Sequence, residues 1–285
     1  MKNADYLEAF KDYLLEEEKS PGTIDGYTGD VKHFIIFIKK DINTIQKADL
    51  MSYKDFLRSR QLKVATINRK LVGVQQFVDF INDRFSLEIT AKIKQEKVQK
   101  QYSLKDDELL SEEDFQAIIK VVNTKHDMRA KALFETMYYS GMRISEALQM
   151  TIDHVGLRIL EDIKGKGGKY RDIYISDKLL LTLKEYKLSR VQPFSSNTKA
   201  LFVGARGPIT RQTAHTMIKK YAKLAGIEEK KAHVHNLRHL FGLRLAAKGV
   251  PIEEIAEYMG HTSIEVTRIY LRKTQSYYAD RINQL

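Results

Sequence analysis

The 285-residue sequence contains no cysteine. That excludes disulfides and thiolate metal sites, and it suits a reducing cytosol. No apolar run is long enough to span a bilayer. The N-terminal stretch MKNADYLEAFKDYLLEEEK is acidic and helical in pattern, without the order of charged, apolar and small residues that marks a secretory signal. A cytoplasmic protein with no membrane partner is expected. Internal repeats and low-complexity tracts are also missing, so the fold must be read from periodicity.

What is present in excess is positive charge. The net charge is +11 and the isoelectric point is near 9.4. A surplus of this size favours a polyanionic partner, nucleic acid or an anionic surface, but does not separate an enzyme from a regulator.

Residues 1–90 read as a helical bundle. ADYLEAFKDYLLEEE, SPGTIDGYTGDVKHFIIFIKK, ADLMSYKDFLRSR and VATINRKLVGVQQFVDFINDR each carry apolar residues at helical spacing, with short connections. Over residues 91–107 the pattern dissolves into an extended basic linker. Lys92, Lys94, Lys97 and Lys100 are either simply solvated or set against phosphates. Residues 108–285 form a second unit that opens at Ser111, with acids in the first turn. It is mostly helical, but LRILEDIKGKGGKYRDIYIS alternates around a Gly-rich turn and predicts a small antiparallel sheet. The expected class is mainly α, a helical bundle plus a mostly helical domain bearing one hairpin.

Taken singly, the polar motifs are ordinary. Arg143 starts a helix in SGMRISEAL with Glu146 on the same face, as a surface ion pair would. Lys166 sits in GKGGK, which lacks the ending and spacing of a nucleotide-binding loop. In HVHNLRHLFGLRL, His235 and Arg238 share a face, with Leu237, Leu240, Phe241 and Leu245 as the buried stripe. His233, His235 and His239 have no companion carboxylate at a recognised ligand spacing, so no metal is expected. Gly260 closes a short helix and His261 follows. Thr262 and Glu265 then stand in capping-box positions, with Tyr270 two turns into the last helix.

Together these motifs resemble the tyrosine recombinases, the phage-integrase and Xer-like family. Arg143, Lys166, HNLRH at 235–239, the Gly-His pair at 260–261 and Tyr270 match in order, with 23 residues from Arg238 to His261 and nine more to Tyr270. The first unit resembles that family's SAM-like core-binding domain. The resemblance implies site-specific DNA cleavage and rejoining through a 3′-phosphotyrosyl bond, in integration, excision or resolution, with Tyr270 as nucleophile. It implies Arg143 and Arg238 on the phosphate, Lys166 as acid for the leaving oxygen, His235 as acid/base, His261 on the scissile phosphate, and Glu146 orienting its neighbours. Because the tyrosyl ester stores the energy of the broken bond, neither ATP nor a metal cofactor is expected. GPITRQTAHTMIKKYAKLAGI resembles the family's major-groove helix, which makes Thr210, Arg211, Gln212 and His215 candidates for DNA contact.

The partner implied is double-stranded DNA with inverted-repeat sites, bound by a homotetramer that is monomeric or dimeric when free. The C-terminal tail would dock on a neighbour or on its own domain. Starting directly with the core-binding unit, the chain resembles a simple recombinase or resolvase, serving a mobile element, plasmid or chromosome dimer, more than an integrase with an arm-binding domain. A type IB topoisomerase and a non-catalytic regulator on the same fold are the alternatives. A metal-dependent nuclease ranks last.

Overall fold

The computed structural model describes residues 2–87, 89, 92–97, 108–165, 168–194, 197–261, 263–271 and 282–283. They fall into two compact units, Met1–Lys100 and Gln101–Leu285. No helix among the described residues is long and apolar enough to cross a membrane.

The first unit is four helices, α1 (Asn3–Glu16), α2 (Pro21–Ile38), α3 (Lys47–Ser59) and α4 (Val64–Phe85). Ser20 caps α2 by accepting from Thr23 N, with Pro21 preset for the first turn. Phe10, Leu14, Val31, Phe34, Leu50, Val74, Phe77 and Ile81 interlock as the core. Asp30 and Lys54 are buried charged groups of this unit, and the Asp30 carboxylate takes two hydrogen bonds from Arg69, at 2.6 and 2.8 Å, and one from Lys70 at 3.1 Å.

Residues 92–97, read from sequence as part of the basic linker, lie along this bundle as an extended strap. Ile93 is buried, and its N–H donates to Gln75 Oε1 at 2.8 Å. Asn68 brackets Glu96 with one bond to its N–H and one to its carbonyl. Lys54 and Arg58 both pair with the Glu96 carboxylate. Lys92, Lys94 and Lys97 are exposed, whereas Lys100 lies outside the described residues.

The second unit is built around α6 (Met128–Ser140), which is buried on most sides. Packed with it are α5 (Glu112–Thr124), α8 (Asp177–Ser189), α9 (Arg211–Leu224) and α10 (Val234–Ala247). At the head of α5, Ser111 and Asp114 exchange backbone and side-chain bonds, the reciprocal cap its sequence predicts. The hairpin forms from β1 (Ile159–Lys164) and β2 (Tyr170–Tyr174), with a register shift between Leu160 and Ile163. A second antiparallel pair, β3 (Val203–Gly204) and β4 (Gly207–Pro208), has only two residues per strand and no sequence expectation behind it. The chain continues through α11 (Ile252–Met259) and α12 (Ile264–Thr267) to a 3₁₀ turn over Arg268–Leu271.

Three local expectations need correction. The cap of α12 is Ser263, which accepts from Glu265 N, and Thr262 lies outside the described residues. Tyr270 sits in the 3₁₀ turn, because α12 ends after one turn. The buried face of α10 is also rotated from the Leu stripe. Val234, Leu237, Arg238, Leu240 and Gly242 are buried, while Phe241 and Leu245 pack half-buried around Ile255, Met259 and Tyr270.

Candidate active site

The site begins with a single carboxylate. The four-residue helix α7 (Ile144–Ala147) opens at Arg143, and Glu146 in its first turn reaches back to accept from Arg143 N at 2.7 Å. Glu146 is fully buried and also accepts from Arg143 Nη1 at 2.8 Å and from Arg171 Nη2 at 2.7 Å. Arg238 Nη1 lies 3.9 Å away. Burial alone would raise the Glu146 carboxyl, but Arg171 and Arg143 overcome it and hold the group below its usual range. Three guanidiniums therefore face one carboxylate, with Arg238 sealed in low dielectric and Arg143 partly open to solvent.

A helix end fixes the other side of these arginines. The last carbonyls of a helix lack partners within it and carry its negative pole. At the end of α11, Arg171 Nη1 donates to Tyr258 O, Arg238 Nη2 to Met259 O, and Arg143 Nη2 to Gly260 O at 3.0 Å. Gly260 takes the left-handed conformation, with φ +57°. It also leaves room for Arg171, whose Cδ would lie 2.3 Å from a Cβ there. Three consecutive carbonyls are thus taken by three different arginines, and His261 is the next residue.

Arg238 also donates to Gly141 O, at the end of α6, at 2.6 Å and is 1% exposed. Burial, then Arg143 and Arg171, push its guanidinium down to about 9, still charged at neutral pH. His235, one turn earlier on α10, is exposed, so the shared face expected from sequence divides at the helix end into an open imidazole and a sealed guanidinium. The His235 ring packs edge-on against His239 at 4.6 Å. Desolvation, with Arg238 and Arg143, lowers the His235 pKa. His261 Nδ1 pairs with Thr267 Oγ1 at 2.8 Å, and burial plus the same guanidiniums take His261 to about 4.

Tyr270 joins this group. Its ring lies parallel to His261 at 6.2 Å and tilted against His239 at 5.8 Å. It is 5% exposed, packed on Ile255 and Met259. Burial pushes the phenol up to about 12, opposed by Arg238 and Arg143. The hydroxyl is therefore protonated at neutral pH and held next to the charges that would favour its ionised form.

The structure thus brings together Arg143, Glu146, Arg238, His235, His261 and Tyr270. Lys166 lies outside the described residues. The preceding Gly165 abuts the site, since a Cβ there would stand 3.4 Å from Glu146 Oε1. Arg171 was not foreseen. Its signal was the strand alternation, which sets Arg171 on the same side as buried Ile173, and an inward arginine needs a buried carboxylate. The remaining candidates of this unit lie at the head of α9, where His215 is close enough to His235 to help lower its pKa. Thr210 caps α9 by accepting from Thr213 N, with Arg211 and Gln212 exposed and His215 half-buried behind them. Burial, then His233 and Lys219, lower the His215 pKa.

Comparison with known proteins gives the family. Residues 108–276 match the phage integrase family, and residues 7–84 match the phage integrase N-terminal SAM-like domain. A tyrosine recombinase of Thermosipho africanus is 27% identical, covering 98% of this chain and 99% of that one. The TnP I resolvase of Bacillus thuringiensis is 25% identical, covering 95% and 96%. The crystal structure of the XerH site-specific recombinase bound to difH substrate shares the fold, with a TM-score of 0.68 at 23% identity over 91% of this chain and 78% of that one. Neither the topoisomerase nor the regulator alternative is favoured by these matches. The chain belongs to the phage integrase family and is a tyrosine-type site-specific recombinase.

Proposed function

We propose that the protein cuts and rejoins double-stranded DNA through a covalent bond between Tyr270 and a 3′ phosphate. The observation that carries this reading is the convergence of Arg143 and Arg238 on one buried carboxylate, close enough to Tyr270 to act on its ionisation. The Tyr270 oxygen attacks phosphorus and its proton passes to His235. The bond to the 5′ oxygen breaks, and that oxygen takes a proton from Lys166. The reverse attack by a 5′ hydroxyl rejoins the strand and frees the tyrosine. Phosphodiester bonds are exchanged one for one, so no nucleotide is consumed.

Two permanent cations with forked donors suit the charge that builds on the non-bridging oxygens, and each such preorganised group contributes roughly 10²–10³ in rate. His261 stays neutral and shares a hydrogen bond between Nδ1 and Thr267 Oγ1; in the tautomer in which Thr267 is the donor, the ring proton lies on Nε2 and is available to a phosphate oxygen. The assignment of Lys166 rests on the motif and on Gly165 beside Glu146.

The surplus of 48 Lys and Arg over 37 Asp and Glu supports a DNA partner, as do exposed Lys92, Lys94 and Lys97. Thr210, Arg211, Gln212 and His215 at the head of α9 supply groups for base or phosphate contact, and Lys100 extends the basic stretch. On inverted-repeat sites the active assembly is a homotetramer, and the protein is monomeric or dimeric when free. Likeness to a resolvase supports a role in resolving a transposable element. The test is a supercoiled plasmid bearing two copies of the site selected by the protein from random duplexes. Two circles are expected. Relaxation of any plasmid without recombinants would replace this reading with a topoisomerase.

A further inference from the structure

We infer that Arg171 is a positioning residue for strand cleavage, joining the β1–β2 hairpin to Glu146 and to the helix end that presents His261. The inference rests on the recombinase reading above and adds a residue to it. Arg171 projects from β2 and spans two acceptors on different elements, the Glu146 carboxylate on α7 and Tyr258 O at the end of α11. Its side chain is 12% exposed, and its Nε is buried without a hydrogen-bond partner. A buried unsatisfied donor is unfavourable, so the fork is held in place by its two acceptors and by the space at Gly260. Tyr174, also on β2, packs edge-on against the Tyr258 ring at 5.9 Å, a second tie between the same two elements.

The hairpin needs such ties. It is a two-stranded ribbon with a register shift, and an isolated pair of strands has little stability of its own. Without Arg171, Glu146 would keep Arg143 but lose the donor that links it to β2, and of the arginines on the carbonyls that end α11 only Arg143 and Arg238 would be left. His261 follows that end directly. Among the described residues, the groups acting on His261 are Arg238 and His239 from α10, Arg143 at the head of α7, Arg171 from β2, Thr267 from α12 and Tyr270 beyond it. Arg171 therefore acts on cleavage by aiming other residues and by adding to the field that keeps His261 neutral.

The test compares Arg171→Gln and Arg171→Lys in the full-length protein, on a nicked suicide duplex carrying the selected site. Wild-type protein must first form the covalent adduct. If it does not, the recombinase reading fails and the role of Arg171 is not at issue. Given that adduct, both variants are expected to bind the duplex as wild type does and to be folded at the assay temperature, Arg171→Gln melting lower because it breaks a buried pair with Glu146. Their single-turnover cleavage at saturating protein should be slower by about 10- to 100-fold, the usual consequence of a displaced reacting group. Arg171→Gln should also move the acid limb of the cleavage profile to higher pH, because His261 loses a cationic neighbour. Arg171→Lys should return the limb but not the rate, since an ammonium cannot span both acceptors as a fork. Wild-type cleavage by either variant overturns the inference. So does a loss of rate that merely follows lost binding, or an unmoved acid limb in Arg171→Gln.

Discussion

The ring of Tyr270 rests against Gly242: a Cβ on that glycine would lie 2.7 Å from Tyr270 Cζ. The glycine lies in the middle of α10, where it weakens the helix by roughly 1 kcal/mol relative to alanine. That cost makes room for the phenol. In Gly242→Ala the ring must leave its place, and since only its far end is crowded, the change moves the tyrosine and leaves the core intact. The Tyr270 phenol, held up at about 12 by burial, should then titrate nearer its ordinary value of 10. Tyrosine ¹³Cζ NMR, with Tyr270→Phe for assignment, reads this directly. Unchanged titration would mean that the ring does not depend on the gap.

Glu146→Gln should be among the most damaging single changes in the second unit. It leaves three guanidiniums at the site without their buried counter-charge, and breaking a buried ion pair costs about 3–5 kcal/mol. Urea denaturation of the full chain, followed through the second unit's transition, measures the loss. An effect below about 1 kcal/mol, the range of an exposed pair, would contradict the burial described here.

Acid should weaken the second unit in two stages. His239 and His261 are both held down to about 4 from an ordinary 6.5, mainly by burial. Between those values the unfolded chain binds protons that the folded one refuses, so stability falls as pH drops from 6.5 towards 4. Glu146 acts lower down. Its carboxyl is depressed, so its contribution is complete above the ordinary 4.5 and is lost as pH falls through the folded value. Melting temperature against pH should show both stages, and His239→Phe should flatten the first. A flat curve between 6.5 and 4 would show that the imidazoles are not held neutral.

At the head of α9, capping and DNA contact separate cleanly. Thr210→Ala removes the bond to Thr213 N and should lower stability by about 1 kcal/mol. Arg211→Ala touches no described packing and should leave the melting temperature alone. It should weaken DNA binding and reduce the salt slope by about 1. Unchanged affinity in Arg211→Ala would remove α9 from the DNA interface.

Two of the candidate residues were legible because they follow punctuation: Arg143 after a Ser-Gly turn, and His261 after the glycine that ends α11. Helix periodicity carried the rest of the fold, down to the reciprocal cap at Ser111. Side-chain bonds that periodicity does not register were missed. The strap over residues 92–97 is held by one buried isoleucine and by Asn68 and Gln75, which look like any polar helix surface. β3 and β4 are too short to alternate. The lone arginine of β2 drew no reading, because its partner Glu146 lies 25 residues earlier in the sequence. The depth of Tyr270 was equally hidden, since it depends on a glycine 28 residues earlier in the sequence.

Peptide mapping of the trapped protein–DNA adduct bears on all of this at once. After a nicked suicide duplex is cut, digestion and mass spectrometry should find a 3′-phosphodeoxynucleotide on the peptide containing Tyr270. Tyr270→Phe should bind the same duplex and form no adduct. A nucleotide attached to any other residue, or an adduct that persists in Tyr270→Phe, would mean that the guanidiniums gathered around Glu146 serve a different nucleophile.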